Sequence, residues 1–310
     1  MGDVIHALPA AASLKHSFPG SHLTWLIEPQ WASLLDGNPY VDNVAILERG
    51  NPGAWLRSWR KLRAARFDFA VDFQGLVKSA LAASIARPER IFGFHQSQVR
   101  ERPAALFYSN PVQVQAAHAV ERNLEMAAAA GAANILRTFP LPDGAPEGEL
   151  PKSGFVLACP LAGWRSKQWP LLFYSRLAVR LERELDLPLV VNGPPGAELS
   201  SVIDAVPHHS SVAGLIHATR RATAVIGVDS GPLHLAAALG KPGVAIYGPT
   251  DPVRHGPYGE SIRVLRSAHA VTTYKRVSTI DRAMRDVDPD RVFEALKTQL
   301  SRSTTQCAAP

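Results

Sequence analysis

The sequence predicts an α/β chain built from two doubly wound, Rossmann-like parallel-sheet domains facing a cleft. Three observations lead there. Short apolar strand-like runs alternate with helix-like stretches from end to end, the pattern of βα units laid around parallel sheets. Residues 139–151 break the alternation with a run rich in proline, glycine and acid, as an interdomain linker does. Residues 223–252 then read as a buried strand, a tight turn, a short helix and a second buried strand, the kind of unit at whose strand ends open α/β sheets bind ligands. The expected domains are 1–150 and 151–310.

The elements follow in order. In the first half, strands are expected at 23–27, 44–47, 69–73 and 91–94, with helices at 4–16, 55–66, 77–86 and 117–130. In the second half, strands are expected at 155–159, 189–191, 224–228, 244–247 and 262–265. Helices are expected there at 170–185, 197–206, 215–221, 232–239 and 290–300. The chain enters a helical pattern directly after Met1-Gly2-Asp3, whereas a doubly wound domain ordinarily opens with a strand. The expectation is that the sheet's first strand is missing because the start is set too late, since losing a central parallel strand leaves two unpaired edges.

Composition bounds the function. A hydrophobic fraction of 46% over 310 residues is that of a folded chain with room for two cores. No apolar run is long enough to span a bilayer. The N-terminus lacks a secretory pattern, and His6 stands where a myristoylation start needs Ser or Thr. The two cysteines, Cys159 in an apolar strand and Cys307 in a polar tail, suit a reducing compartment. No Cys/His spacing suggests a metal, and the Asp-x-Asp at Asp288-Pro289-Asp290 reads as a helix cap. Neither metal nor cofactor is expected. A net charge of +6 and a pI near 9.5 suit an acidic partner. A nucleic-acid binder would add interleaved aromatic and basic stacking residues, which are lacking. No Gly-x-Gly-x-x-Gly follows a first strand in either half, which argues against a dinucleotide-dependent oxidoreductase.

The candidate ligand site begins at 228–234. Asp229 and Ser230 are natural N-cap residues, Pro232 suits the first turn, and Gly231 lets an anion approach the backbone. The free N–H groups and positive dipole end of such a helix suit a phosphate. His234, one turn in, fits equally a contact to phosphate or sugar and a satisfied core residue. Glu198 follows Gly193-Pro194-Pro195-Gly196 after a strand. It reads as a ribose ligand or as an acid complementing a helix dipole.

Several stretches together resemble one family. They are the opening Met-Gly-Asp-Val-Ile-His-Ala-Leu-Pro-Ala, the run Asp72-Phe73-Gln74-Gly75-Leu76-Val77-Lys78-Ser79, and residues 228–252. They resemble the lipopolysaccharide heptosyltransferases, inverting glycosyltransferases of the two-domain GT-B fold. Arg100-Glu101 with Leu106-Phe107-Tyr108, His118-Ala119-Val120-Glu121-Arg122 and Lys167-Gln168-Trp169-Pro170 resemble the branch that adds the first heptose. The matches run in order from residue 1 to about 260. Two departures stand out: the family's first strand is missing, and Ala162-Gly163 replace a Thr-Thr pair.

The resemblance implies ADP-heptose as donor and Kdo-lipid A as acceptor, met by transient contact with the inner leaflet from the cytoplasm. It implies Asp3 as the base, also suited to start a helix, and Lys167 as the cation facing the diphosphate. Asp229, Ser230, Gly231, His234, Glu198 and the backbone at Gly163 would bind donor. Arg57, Arg60, Lys61 and Arg63, with Arg66 on one basic helix beside Trp55 and Trp59, read as a solvated face or, with Arg100, as a grip on the acceptor's phosphates and carboxylates. Open alternatives are a related transferase with another heptose acceptor or nucleotide sugar, and a non-catalytic nucleotide-sugar-binding protein.

Overall fold

A computed structural model describes residues 1–48 and 52–307. The chain divides into two compact units, Asp3–Pro142 and Met1–Gly2 with Asp143–Pro310.

The N-terminal unit holds α1 (Gly2–Ser17), β1 (Thr24–Ile27), β2 (Asn43–Ile46), α2 (Pro52–Ala64), β3 (Phe69–Asp72), α3 (Val77–Ile85), β4 (Arg90–Phe94), β5 (Asn110–Val112) and α4 (Ala119–Ala129). All pairings are parallel, but the strands form two sheets, β1-β2 and β3-β4-β5. Among the described residues no strand joins β1 to β3. Helix α1 is buried without a break from Val4 to Leu14, so it is a core element rather than an amphipathic cover. Its Pro9 deprives one carbonyl of a partner. Ser13 Oγ donates to Pro9 O at 2.7 Å, while Asn123 Nδ2 donates to His6 O at 3.0 Å.

The C-terminal unit runs β6 (Val156–Cys159), α5 (Leu171–Leu185), β7 (Leu189–Gly193), β8 (Val206–His209), α6 (Val212–Arg221), β9 (Ala224–Val228), α7 (Gly231–Ala238), β10 (Gly243–Tyr247), α8 (Pro252–His255), β11 (Ile262–Arg266), α9 (Arg282–Arg285) and α10 (Pro289–Cys307). Its six parallel strands are ordered β11-β10-β9-β6-β7-β8. Strands β6, β7, β9 and β10 are buried along their whole length, as expected where helices cover both faces. One face packs Val156, Val191, Ile226 and Ile246 against Leu177 and Leu181 of α5 and Phe293 and Leu296 of α10. The fully buried Trp169 donates its indole N–H to Val287 O at 2.8 Å.

Three expectations need correction. The helix expected at 197–206 is a run of turns leading into β8. Glu198 accepts from Ser200 N at 2.8 Å and from its hydroxyl, a local bond that competes with helix. Strands β5 and β8 are not among the expected strands; each carries a proline, Pro111 and Pro207. Both are edge strands, where a missing N–H breaks no ladder. Asp3 does not cap α1, which already includes Gly2; it lies in the first turn.

Candidate active site

In the C-terminal sheet the chain starts at β6, winds outward to β8, and returns to β9 on β6's other side. That reversal makes the carboxyl ends of β6 and β9 the topological switch point, where open α/β sheets open a crevice. After β6 the chain makes a helical turn at Arg165–Lys167; after β9 it passes through Asp229 and Ser230 into α7.

An ion pair joins the two loops. Lys167 Nζ lies 2.6 Å from Asp229 Oδ2, with the side chains 16% and 8% exposed. His234 Nε2 stands 3.7 Å from the other carboxylate oxygen. Burial would raise the Asp229 pKa, yet His234 and the Lys167 ammonium hold it well below the usual carboxylate range. The Lys167 ammonium sits 4.3 Å from the centroid of the Trp164 ring, a cation–π contact.

Around this pair lie polar groups that the fold itself does not use. Ser230 occupies the N-cap position of α7, but its hydroxyl makes no capping bond. The first-turn N–H groups of α7 therefore lack the partner that a cap usually provides. The hydroxyls of Ser166, Ser230 and Thr250 are buried with no hydrogen-bond partner among the described residues. They follow β6, β9 and β10, three adjacent strands. Buried hydroxyls without partners are uncommon, and three at one sheet end mark a place prepared for a polar ligand. Met1 lies against Gly231, where a Cβ would come within 2.7 Å of it, and Gly2 lies beside the His234 ring. His234 is 6% exposed.

Of the other donor-side candidates, Gly163 is exposed in the loop after β6, with open space beside it. Glu198 is exposed in the turn after β7, and the Ser200 hydroxyl and N–H lower its pKa. Structure thus gathers Lys167, Asp229, Ser230, Gly231 and His234, and leaves Glu198 and Gly163 on neighbouring loops of the same sheet end.

In the N-terminal unit, Asp3 meets Arg100 in a two-pronged pair, with Nη1 to Oδ2 at 3.0 Å and Nη2 to Oδ1 at 3.3 Å. Both side chains stay nearly half exposed, at 42% and 45%. Burial works against the Arg100 charge, but Asp3, Glu101 and Asp72 more than offset it and raise its pKa. The Arg100 loop is laced to the 72–77 turn. Glu101 N donates to Gly75 O at 3.0 Å, and Glu101 Oε2 accepts from Val77 N at 2.8 Å. Gly75 is required there: its φ is +67°, and a Cβ would lie 3.2 Å from Arg100 N. Buried Asp72 anchors the turn, accepting from Gln74 N, Gly75 N, the Ser79 hydroxyl and the Tyr108 hydroxyl.

Of the other acceptor-side candidates, Arg57, Arg60, Lys61 and Arg63 lie on α2, with Arg66 just beyond its end. Arg57, Arg60, Lys61, Arg63 and Arg66 are all exposed, and Arg57 stands 3.8 Å from Glu48. The side chain of Trp55 lies outside the described residues. Reading the sequence quoted Asp72, Tyr108 and Thr250 only within motif stretches and gave them no role of their own, and it passed over Ser166. A carboxylate ending the strand Phe69–Asp72 just before a glycine turn was the available signal for the first; single hydroxyls give none.

A switch point on an open parallel sheet, with a buried lysine–aspartate pair and an uncapped helix start beside it, marks the class of α/β proteins that hold nucleotides at their strand ends. Residues 55–283 match glycosyltransferase family 9 (heptosyltransferase), and the chain belongs to that family. It is 30% identical over 288 residues to lipopolysaccharide heptosyltransferase 1 of Pseudomonas aeruginosa, covering 84% of this chain and 79% of the relative. The protein of that name from Escherichia coli K12 is 29% identical over 86% of this chain and 91% of its own. Among solved structures, E. coli heptosyltransferase WaaC with ADP matches with a TM-score of 0.76 over 96% of both chains at 23% identity. A family 9 glycosyltransferase from Veillonella parvula matches with a TM-score of 0.79 at 19% identity, over 97% of this chain and 94% of its own. The fold is therefore the GT-B type.

Proposed function

We propose that this glycosyltransferase moves L-glycero-D-manno-heptose from ADP-heptose to a Kdo residue of the lipopolysaccharide inner core, with inversion. The observation that carries the reading is the Lys167–Asp229 pair beside the unsatisfied start of α7, a constellation suited to a departing diphosphate. A relative of the same fold was solved with ADP, and another structure of it with ADP-2-deoxy-2-fluoro heptose.

In this reading the C-terminal unit binds donor and the N-terminal unit binds acceptor. Lys167, the α7 amides, and the Ser166, Ser230 and Thr250 hydroxyls receive the diphosphate; Glu198 takes the ribose. Asp3 is the general base for the acceptor hydroxyl. Its Arg100 partner offers a planar fork that a carboxylate-bearing acceptor sugar would compete for. Transfer of that fork to the acceptor would free an Asp3 oxygen for the proton. The exposed arginines of α2 then meet the acidic headgroup of the acceptor's lipid at the cytoplasmic face of the inner membrane. Among the described residues no helix is long and apolar enough to cross a membrane.

The test is transfer itself. Purified protein is incubated with ADP-heptose and Kdo-lipid A, with and without chelator. Heptose transfer indifferent to chelator is expected. Asp3→Ala should abolish transfer and leave ADP affinity nearly intact. No transfer by the native chain, or equal rates for the variant, overturns the reading.

A further inference from the structure

Lys167 is an incomplete answer to a leaving diphosphate. Its ammonium is 2.6 Å from the buried Asp229 carboxylate, so the pair as a whole brings no net positive charge. The start of α7 adds partial positive charge, and a full charge has to come from a further cation.

A second cation stands on the same aromatic ring. The Arg276 guanidinium lies 5.3 Å from the centroid of Trp164, the ring that also carries Lys167. Arg276 is exposed, and among the described residues no carboxylate pairs with it. The segment that bears it is fixed at both ends to the rim of the crevice. On one side Thr273 N donates to Pro249 O at 2.7 Å, next to Thr250; on the other Asp281 N donates to Ser166 O at 3.3 Å. Arg266, at the end of β11, adds a brace, donating to Gly248 O at 3.2 Å and to the Thr272 hydroxyl at 2.8 Å. The segment thus runs between the two loops that carry unpartnered buried hydroxyls, Ser166 and Thr250.

We propose that Arg276, held by the strap 273–281 against Trp164, binds the diphosphate of the donor and supplies the positive charge that the Lys167–Asp229 pair does not. A guanidinium suits the task, because its planar fork meets two phosphate oxygens at once and stacks on an indole. Trp164 serves as the shared platform, and the two tethers set the height of the strap. This rests on the reading of the C-terminal unit as the donor site.

The experiment measures binding of ADP, AMP and adenosine to the full chain by calorimetry at two salt concentrations, with KM for ADP-heptose alongside. For Arg276→Ala, ADP affinity should fall about ten- to a hundredfold, the range of a lost charge-assisted contact. Adenosine should bind as before, and the salt dependence of ADP binding should flatten. Arg276→Lys should recover part of the loss, and Arg276→Gln none. ADP affinity within twofold of the native chain would overturn the proposal. So would an equal loss for adenosine, which marks a fault in folding rather than a phosphate contact. If the native chain itself fails to bind ADP, the donor-site reading falls and this inference with it. If it binds ADP and transfers heptose while Arg276→Ala is indistinguishable, only the inference falls.

Discussion

Replacing Lys167 by methionine keeps most of the length of the side chain and removes its charge. Asp229, 8% exposed, then keeps a buried carboxylate with, among the described residues, only the His234 ring, 3.7 Å from its other oxygen, beside it. Breaking a fully buried pair costs about 3–5 kcal/mol. Lys167 retains 16% exposure, and water reaching the pair trims the cost to roughly 2–3 kcal/mol. For a unit of this size that lowers the melting temperature by about 5–10 °C. The sign with pH follows from Asp229, whose pKa is held below its usual value in the fold. Such a carboxylate stabilises fully above the ordinary carboxylate range, near pH ~4, and the stabilisation is lost as pH falls through the folded value. Without Lys167 that depression shrinks, so the deficit should be largest at neutral pH and narrow on acidification. Scanning calorimetry of the native chain, Lys167→Met, and Lys167→Met/Asp229→Asn reads all of this. The double variant strands no charge and should recover most of the loss. Melting of the single variant within about 1 °C of the native chain at neutral pH, or a double variant no better than the single, refutes the reasoning.

Two further outcomes are expected. Gly93→Ala would put a Cβ 2.4 Å from the Tyr108 ring and push its hydroxyl off Asp72; a loss of about 2–4 kcal/mol by denaturant titration is expected, from overpacking together with a disturbed buried hydrogen bond. Arg60→Ala/Arg63→Ala on α2 should raise acceptor KM several-fold at low salt and much less at high salt, with donor KM unchanged; equal acceptor KM at both salts would remove α2 from the acceptor site.

The sequence was most legible where burial is two-sided. Strands β6, β9 and β10 are continuous apolar runs, and such runs end cleanly at glycine and proline punctuation. It was least legible at the edges. Pro111 and Pro207 argue against strand in isolation, and only the position of β5 and β8 at the sheet rim makes them tolerable. The same division holds for the site. Lys167 and Asp229 stand out by residue type, motif and resemblance. What sequence spacing does not reveal is that they neutralise each other across 62 residues, since that follows from strand order at the switch point. Arg276 carries no local pattern at all. Its place is set by two backbone bonds to loops distant in sequence, Thr273 to Pro249 and Asp281 to Ser166.

The solitary hydroxyls of Ser166, Ser230 and Thr250 have a thermodynamic consequence. Among the described residues none of them has a hydrogen-bond partner, so without a ligand to satisfy them the C-terminal unit falls below the stability its packing could reach. Occupancy by a ligand that satisfies them repays that deficit, which ties melting temperature to ligand concentration. Evolution toward a sturdier empty protein, by exchanging Thr250 for its apolar isostere valine, would therefore trade grip for robustness.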